Sequence, residues 1–181
     1  MAKKPYFERA LFFIGDKETG KSTQLRSMFK DWRLGTRGRV PTQRKLTETY
    51  PLSNERWLYL RLTSPHEMEE TLTDFLEKCT SKMIVDPPAF RWNFAGALQR
   101  TPTKFLGPAP NVIEGFIKRF APERVRAVIL CPLQTGEILP DIEMSSLTKD
   151  LQRIPNLEIM TVDATQRERS GLMYSDFFNF T

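Results

Sequence analysis

Residues 10–22 read ALFFIGDKETGKS, and this stretch decides the fold class. The apolar run Ala10–Ile14 predicts a central parallel strand that is covered on both faces. Gly15 ends that strand. From Lys21 a helix of about 12 residues is expected, with an inward face formed by Leu25, Met28, Phe29 and Trp32. The stretch therefore predicts a strand, a loop containing two glycines, and an amphipathic helix in succession.

Strands and helices continue to alternate along the chain. We expect further strands at 57–62, 90–94, 126–131 and 157–162, and helices that begin near 65, 111 and 141. Ser64 should cap the first of these helices, with Glu67 closing a capping box, and Asn111 should cap the second. This order predicts one domain over residues 1–181, an α/β fold of three α/β/α layers around a mostly parallel five-stranded sheet. Right-handed crossovers would place the carboxyl ends of the parallel strands, and hence a ligand, at one rim.

Two segments differ from this pattern. Residues 33–56 combine glycines and prolines with the cations Arg33, Arg37, Arg39, Arg44, Lys45 and Arg56, which predicts a long, exposed and flexible basic loop. The tail at 174–180 is aromatic and is expected to dock either on the body of the protein or on a partner.

Charge and composition restrict the partners and the location. The net charge of +5 and a pI near 9.3 favour an anionic partner such as a nucleotide, nucleic acid or a phosphorylated metabolite. The basic N-terminus lacks the pattern of a signal peptide, and no apolar run is long enough to cross a bilayer, so we expect a cytoplasmic protein with no membrane partner. Cys79 and Cys131 should be reduced, buried thiols, and two cysteines with one histidine cannot supply a structural zinc site.

Residues 15–22 match the phosphate-loop pattern G-x-x-x-x-G-K-[S/T] at every fixed position. Glycines let the backbone turn around a phosphate, and successive N–H groups with the start of the following helix form an anion site. Lys21 would reach the β- and γ-phosphates as the catalytic cation, and the hydroxyl of Ser22 would bind Mg²⁺. The predicted ligand is therefore ATP or GTP with Mg²⁺, held by Gly15, Asp16, Lys17, Glu18, Thr19, Gly20, Lys21, Ser22 and Thr23.

This motif and the order of elements resemble the P-loop nucleoside triphosphate hydrolase superfamily, and within it the nucleoside and nucleotide kinase group, whose five-stranded sheet runs 2-3-1-4-5. Residues 161–166, TVDATQ, are similar to the turn of nucleotide kinases that follows the last strand. The resemblance implies that the backbone of Ala164 and Thr165 lies beside the adenine ring and that Asp163 shapes the turn. The alternative is that Asp163–Thr165 only caps a helix.

The chain departs from these kinases in two respects. The expected acid at the end of a strand beside the first is missing, which leaves Asn93 or Asp86 as substitutes for holding a Mg²⁺-bound water. Residues 132–149, where such kinases carry lid arginines, contain only Lys149. Three other arginines could reach the rim, although exposed surface charge is the simpler interpretation for each: Arg61, Arg91 and Arg100. We expect a structural role for His66, while Glu67 is either a helix cap or an acceptor-site base.

Three functions stay open at this point. The first is a small-molecule kinase or nucleoside triphosphatase whose acceptor docks against residues 33–67. The second is a nucleotide-dependent regulatory or remodelling protein with weak or no hydrolysis, in which the nucleotide orders the basic loop. The third is a nucleic-acid-dependent ATPase that uses the arginines of 33–56, although few aromatic residues are interleaved there.

Overall fold

A computed structural model describes residues 6–34, 36–42, 47–85, 91–166 and 170–178. The strands are β1 (Phe7–Ile14), β2 (Thr47–Pro51), β3 (Arg56–Arg61), β4 (Arg91–Leu98), β5 (Arg124–Leu130) and β6 (Leu157–Val162). The α-helices are α1 (Lys21–Ser27), α2 (Leu72–Val85), α3 (Ala109–Phe120), α4 (Asp141–Gln152) and α5 (Gly171–Asp176). Short 3-10 helices cover Met28–Lys30 and Pro65–Met68.

These residues form one six-stranded sheet in the order β2-β3-β4-β1-β5-β6. All pairs are parallel except β2 with β3. The prediction of a mostly parallel α/β sheet is confirmed, but the predicted number of five strands is wrong. The sixth strand makes the order of the whole sheet differ from 2-3-1-4-5, although the five strands without β2 keep that order among themselves. The extra strand, β2, lies inside the segment 33–56 that was predicted to be a loop, and it adds to the edge of β3. A tight turn joins the two, because the Leu52 N–H donates to the carbonyl of Arg56 at 2.8 Å.

The central strand β1 is covered on both faces, as its apolar run predicts. Alternate side chains enter two separate cores: Phe12 and Ile14 face one, and Leu11 and Phe13 face the other. The first core is completed by residues of α2, α3 and α4, and the second by residues of α1 and of the C-terminal segment. Helices therefore lie on both sides of the sheet, in three layers.

The C-terminal segment docks on the body of the protein. Tyr174 is fully buried, and its hydroxyl donates to Gln24 Oε1 of α1 at 3.0 Å. Phe177 and Phe178 are also buried. The described part of the aromatic tail, up to residue 178, thus follows the first of the two predicted alternatives.

Several predicted boundaries need correction. Helix α1 ends at Ser27, and Trp32, expected on its inner face, is 75% exposed because the chain leaves the 3-10 helix at Asp31. The expected helix from 65 is a 3-10 turn, after which Glu69 adopts a left-handed conformation and α2 begins at Leu72. Helix α3 begins at Ala109, so Asn111 is not its cap.

The two cysteine thiols differ in their surroundings. Both are free, as expected, but Cys79 is fully buried, whereas Cys131 is partly exposed. Burial raises the pKa of Cys79, so that thiol stays protonated.

Candidate functional site

The loop between β1 and α1 lies at the rim of the sheet where the parallel strands end. The Gly15 N–H donates to the carbonyl of Leu98, the last residue of β4, at 3.2 Å. Strand β3, on the other side of β4, ends at Arg61. The loop therefore begins against the carboxyl end of its neighbour, as the parallel topology requires.

Both glycines of the loop are required by its shape. A Cβ at Gly15 would lie 2.4 Å from Thr19 Oγ1, because the loop folds back over its own start. Gly20 has a φ of +99°, and a Cβ there would lie 2.9 Å from Gln134 Oε1. The Thr19 hydroxyl donates to the carbonyl of Asp16 at 2.8 Å, which closes the turn. The two fixed glycines of the motif are thus explained by close approach and by a left-handed backbone.

The ammonium of Lys21 points back into this loop. Lys21 is only 5% exposed, and its Nζ donates to the carbonyl oxygen of Asp16. Burial lowers the pKa of Lys21 below its ordinary value, whereas the negative charges of Glu67 and Asp16 oppose that shift. None of the ion pairs among the described residues includes Lys21. The charge of Lys21 is therefore stabilised by a hydrogen bond to a neutral carbonyl and by the electrostatic field of nearby acids.

A pocket of about 390 Å³ opens over the loop. It is lined by seven consecutive residues of the predicted site, 17–23, together with Glu67 and Gln134. Gly15 and Asp16 do not line it, but they lie against the lining residues Thr19 and Lys21. The structure thus brings most of the predicted residues to one pocket and adds two that the motif does not contain.

Ser22 and Thr23 are held by neighbours from other parts of the chain. The Ser22 hydroxyl donates weakly to the carbonyl of Leu62, just after β3, at 3.4 Å. Thr23 Oγ1 donates to Gln134 Oε1 at 3.3 Å, and the Gln134 N–H donates to the carbonyl of Thr19 at 3.2 Å. Gln134 comes from the segment after β5, so it fixes the loop from the side opposite β3.

Glu67 has a different position from the one predicted. Ser64 does cap the 3-10 turn, since its hydroxyl accepts from the His66 N–H. The carboxylate of Glu67, however, has no hydrogen-bond or ion-pair partner among the described residues, so the predicted capping box is not formed. Its side chain is exposed and lines the pocket with Lys21 and Ser22. Glu67 is therefore a carboxylate at the mouth of the phosphate loop.

Arg100 connects the loop to helix α4. Its guanidinium donates to Asp16 Oδ2 at 2.7 and 3.0 Å and also to the carboxylate of Glu143. Both carboxylates hold the pKa of Arg100 above its ordinary value, against the effect of partial burial. Of the three arginines considered for the rim, Arg100 alone contacts the loop, through Asp16.

The other two arginines do not reach the site. Arg61 ends β3 at the rim, but it is not a surface charge, because it is 4% exposed and paired with Glu70 at 2.5 Å. Arg91 begins β4, and seven residues at about 3.3 Å each separate it from the end of that strand. Arg91 lies near Glu8, at the end of the parallel strands opposite the loop.

Of the two substitutes for a metal-binding acid, Asn93 is not supported. Asn93 lies inside β4, fully buried and opposite Arg9 of β1, because β4 extends to Leu98 rather than ending near 94. Its Nδ2 donates to the carbonyl of Trp57 at 3.4 Å. Asp86 lies outside the described residues. The end of β4 carries Gln99 and Arg100 instead of an acid.

The turn after β6 lies beside α1 but outside the pocket. Asp163 Oδ1 accepts hydrogen bonds from the N–H and the hydroxyl of Thr165 at 2.9 and 2.6 Å, so Asp163 shapes the turn as predicted. Gln24 Nε2 approaches the carbonyls of Ala164 and Gln166 at 3.5 Å. Ala164 is buried, and neither it nor Thr165 lines the pocket.

His66 is bound by backbone groups near this site. Its Nε2 lies 2.8 Å from the carbonyl of Gly107, and its Nδ1 accepts the Gln99 N–H at 3.4 Å. Burial lowers the pKa of His66, the hydrogen bond to Gly107 opposes this, and the charge of Lys21 adds to the lowering. The ring therefore joins β4 to the loop before α3, which is the structural role expected of it.

Within the part of the chain that the structure describes, no three metal-binding side chains of the His, Cys, Asp or Glu type come together. None of the described helices has the length and apolar character needed to span a bilayer. Comparisons with protein-family models, with curated proteins and with solved structures found no match to this chain.

Proposed function

We propose that this protein binds a nucleoside triphosphate, with Mg²⁺, in the loop between β1 and α1. The observation that carries the proposal is the ammonium of Lys21, which is buried at the base of the pocket and rests on the carbonyl of Asp16. A buried cation without a paired carboxylate is costly, and an anionic ligand removes that cost. The polyphosphate chain of a nucleotide is such a ligand.

The surroundings of Lys21 fit a phosphate chain. The loop turns tightly enough to require glycine at 15 and at 20, and α1 begins directly after it. This arrangement supplies backbone N–H groups and a helix start to an anion. The volume of about 390 Å³ lies within the range of small-molecule sites.

The residues present also fit a metal ion that arrives with the nucleotide. Ser22 offers a hydroxyl, and Glu67 offers a carboxylate on the same pocket wall. Since Mg²⁺ is usually held by one or two protein oxygens plus phosphates and waters, a dedicated cluster of acids is not needed. Bound Mg²⁺ would neutralise charge on the β- and γ-phosphates. We assign Glu67, rather than a residue at the end of β4, as the acid on the metal side.

The favoured activity is kinase-like phosphoryl transfer, or hydrolysis, of ATP or GTP. The P-loop kinases that the motif resembles use the lysine and the metal in this way. A specific observation favours a second candidate, a nucleotide-binding regulatory protein with little turnover. The guanidinium of Arg100 is engaged by Asp16 and Glu143, and β4 ends without an acid to hold the metal.

Thermal-shift titration with ATP, GTP and their diphosphates, with and without Mg²⁺, tests the proposal. A ligand at 100 times its dissociation constant adds about 2.7 kcal/mol to the free energy of unfolding, which corresponds to a rise of about 5–11 °C in Tm for a domain of this size. Lys21→Ala should abolish the rise. The matched control is Lys118→Ala, which removes a lysine that is 72% exposed and paired with Glu114, and it should keep the rise.

Two further measurements test the role of Glu67 and decide between the enzyme and the regulatory protein. Glu67→Gln should leave the shift without Mg²⁺ unchanged and reduce the extra shift that Mg²⁺ produces. Release or transfer of γ-phosphate that requires Lys21 supports the enzyme, whereas tight binding without turnover supports the regulatory protein. A Lys21→Ala variant that still shows the full nucleotide-dependent shift would refute the proposed site.

A further inference from the structure

The turn that follows the 3-10 helix at Met28–Lys30 displays a tryptophan to solvent. Trp32 is 75% exposed, the largest exposed fraction of the described aromatic residues. Exposing an indole ring forgoes the favourable free energy of burying a large apolar side chain.

The backbone on both sides of Trp32 is anchored to the body. Asp31 is 2% exposed and accepts a hydrogen bond from the Ser175 hydroxyl at 2.6 Å and from Arg33 Nε at 2.9 Å. Burial favours the neutral form of Asp31, yet the hydrogen bonds from Arg33 and Ser175 hold its pKa at about 2. Leu34 is fully buried in the second core, between the sheet and the layer formed by α1 and the C-terminal segment. The indole is thus held outward by a fixed turn.

Two arginines flank a glycine that lies close to the Cβ of Trp32. Gly38 has a φ of +79°, and a Cβ at that position would lie 3.9 Å from the Cβ of Trp32. The residues on either side of Gly38 are Arg37 and Arg39, both exposed. Their backbone N–H groups bond to the carbonyls of Leu34 and Thr36 at 2.9 and 3.1 Å, which holds this segment in a turn. Among the described residues, neither guanidinium has a hydrogen-bond or ion-pair partner.

The sequence that contains this turn is rich in cations. Residues 32–47 contain five arginines and lysines and no aspartate or glutamate. The nearby acids Asp31 and Asp176 are both paired with Arg33. No carboxylate of the described residues pairs with Arg37 or Arg39, and both are exposed, so they can pair with anions from outside the molecule.

We propose that the turn formed by Trp32, Arg37 and Arg39 binds single-stranded nucleic acid. One unpaired base stacks on the indole of Trp32, and the two guanidiniums pair with neighbouring phosphates. Stacking on an aromatic ring combined with a positive surface is how proteins bind single strands without sequence preference. In a duplex the bases are already stacked on each other, so the ring has no free base face to contact.

The small exposed apolar area of the turn favours single-stranded nucleic acid over an anionic membrane surface as the partner. Membrane binding grows with the apolar area that enters the interface, and several apolar side chains contribute to it. Here Leu34 faces the core, which leaves Trp32 as the exposed large apolar side chain of the described part of the turn. One ring is enough to stack a base but provides little membrane anchoring.

Fluorescence anisotropy with a short labelled oligothymidylate and the full chain, at low salt and without nucleotide, tests this proposal. Trp32→Ala should weaken binding by about 5- to 150-fold, the range for one stacked base, and Trp32→Phe should restore part of it. The double variant Arg37→Ala/Arg39→Ala should also weaken binding. It should reduce the slope of log affinity against log salt by about 1.4, since each phosphate contact on a single strand contributes about 0.7.

Matched controls isolate the turn. The double variant Lys118→Ala/Arg119→Ala removes two exposed cations of α3, the same change in charge as Arg37→Ala/Arg39→Ala, and should leave the affinity nearly unchanged. Lys21→Ala should also keep oligonucleotide binding, so failure of the triphosphate site and failure of this surface are distinguishable. Thermal unfolding of each variant confirms that it is folded.

Three results would overturn the proposal. The first is no oligonucleotide binding at low salt. The second is binding that Trp32→Ala leaves intact, or that Lys118→Ala/Arg119→Ala weakens as much as Arg37→Ala/Arg39→Ala, because net charge alone would then explain it. The third is preferential binding to phosphatidylserine vesicles that also depends on Trp32, which would identify a membrane surface instead.

Discussion

Glu70 neutralises the most buried arginine of the sheet, and its removal should strongly destabilise the protein. Arg61 and Glu70 are 4% and 5% exposed, and their side chains meet at 2.5 Å. The other carboxylate oxygen of Glu70 accepts from Lys78 at 2.8 Å, but Lys78 is 58% exposed. The guanidinium of Arg61 also lies 5.2 Å from the ring centre of Phe75. Its Nε also donates to the carbonyl of Thr63 at 3.2 Å, but among the described residues Glu70 supplies the negative charge that pairs with Arg61.

Glu70→Ala leaves that guanidinium buried and uncompensated. Breaking a buried pair by removing one partner costs about 3–5 kcal/mol, which for a domain of this size lowers Tm by about 6–20 °C. Lys78→Ala removes a partner that is exposed to solvent and should cost less than about 1 kcal/mol. The double variant Arg61→Met/Glu70→Leu removes both charges and should be clearly more stable than Glu70→Ala.

Urea denaturation followed by tryptophan fluorescence measures these differences, with calorimetry for Tm. The three variants separate the charge of Arg61 from the loss of packing around Glu70. If Glu70→Ala were no less stable than Lys78→Ala, or if the double variant lost as much stability as Glu70→Ala, burial of the pair would not be the cause.

Three other predictions concern the core, the loop and the pH dependence of stability. Phe116 is fully buried, and its ring centre lies 5.2 and 5.0 Å from those of Phe12 and Phe94. Phe116→Ala should therefore lower the free energy of unfolding, measured by urea denaturation, by about 3–5 kcal/mol. Phe105→Ala, at a ring that is 42% exposed, should lower it far less, and equal losses would contradict the prediction. Arg100→Ala should speed amide hydrogen exchange in the loop at 15–20, because Arg100 bridges Asp16 to Glu143 of α4. Exchange in α3 serves as the reference and should match wild type. Unchanged exchange in the loop would count against the prediction. Because burial lowers the pKa of His66 in the folded state, its contribution to stability is complete above the ordinary value of 6.5 and declines as the pH falls below it. His66→Gln should therefore lose less stability than wild type between neutral and mildly acid pH, and identical pH profiles would refute the assignment.

Sequence patterns predicted the centre of the sheet well because its determinants are local. The apolar run at 10–14 needs burial on both faces wherever it lies, and β6 begins and ends where it was expected, at Leu157 and Val162. Prediction failed where distant groups compete with local propensity. The helical spacing that included Trp32 was interrupted because Asp31 is held by Ser175, far away in the chain. Similarly, β2 depends on pairing with β3, and its own composition does not indicate a strand.

The candidate site likewise contains some residues that local sequence predicted and others that it did not. The glycines at 15 and 20 and the lysine at 21 were evident from their spacing, because a phosphate loop is built from consecutive backbone groups. Their assignment as a nucleotide site stays a prediction. The roles of Glu67, Gln134 and Arg100 could not be predicted, since a charged or polar residue does not specify which neighbour the fold will bring to it.

By itself, the sequence determined an α/β protein with a tight glycine-dependent loop at the end of a buried central strand, because those features follow from apolar runs, glycine geometry and helical spacing over a few residues. The tertiary structure alone decided which charges are buried and paired, as with Arg61 and Glu70, and which are left to solvent, as with Arg37 and Arg39. The physical reason is that the environment of a charge is set by groups from elements far apart in the chain, whose proximity exists only after the sheet has formed.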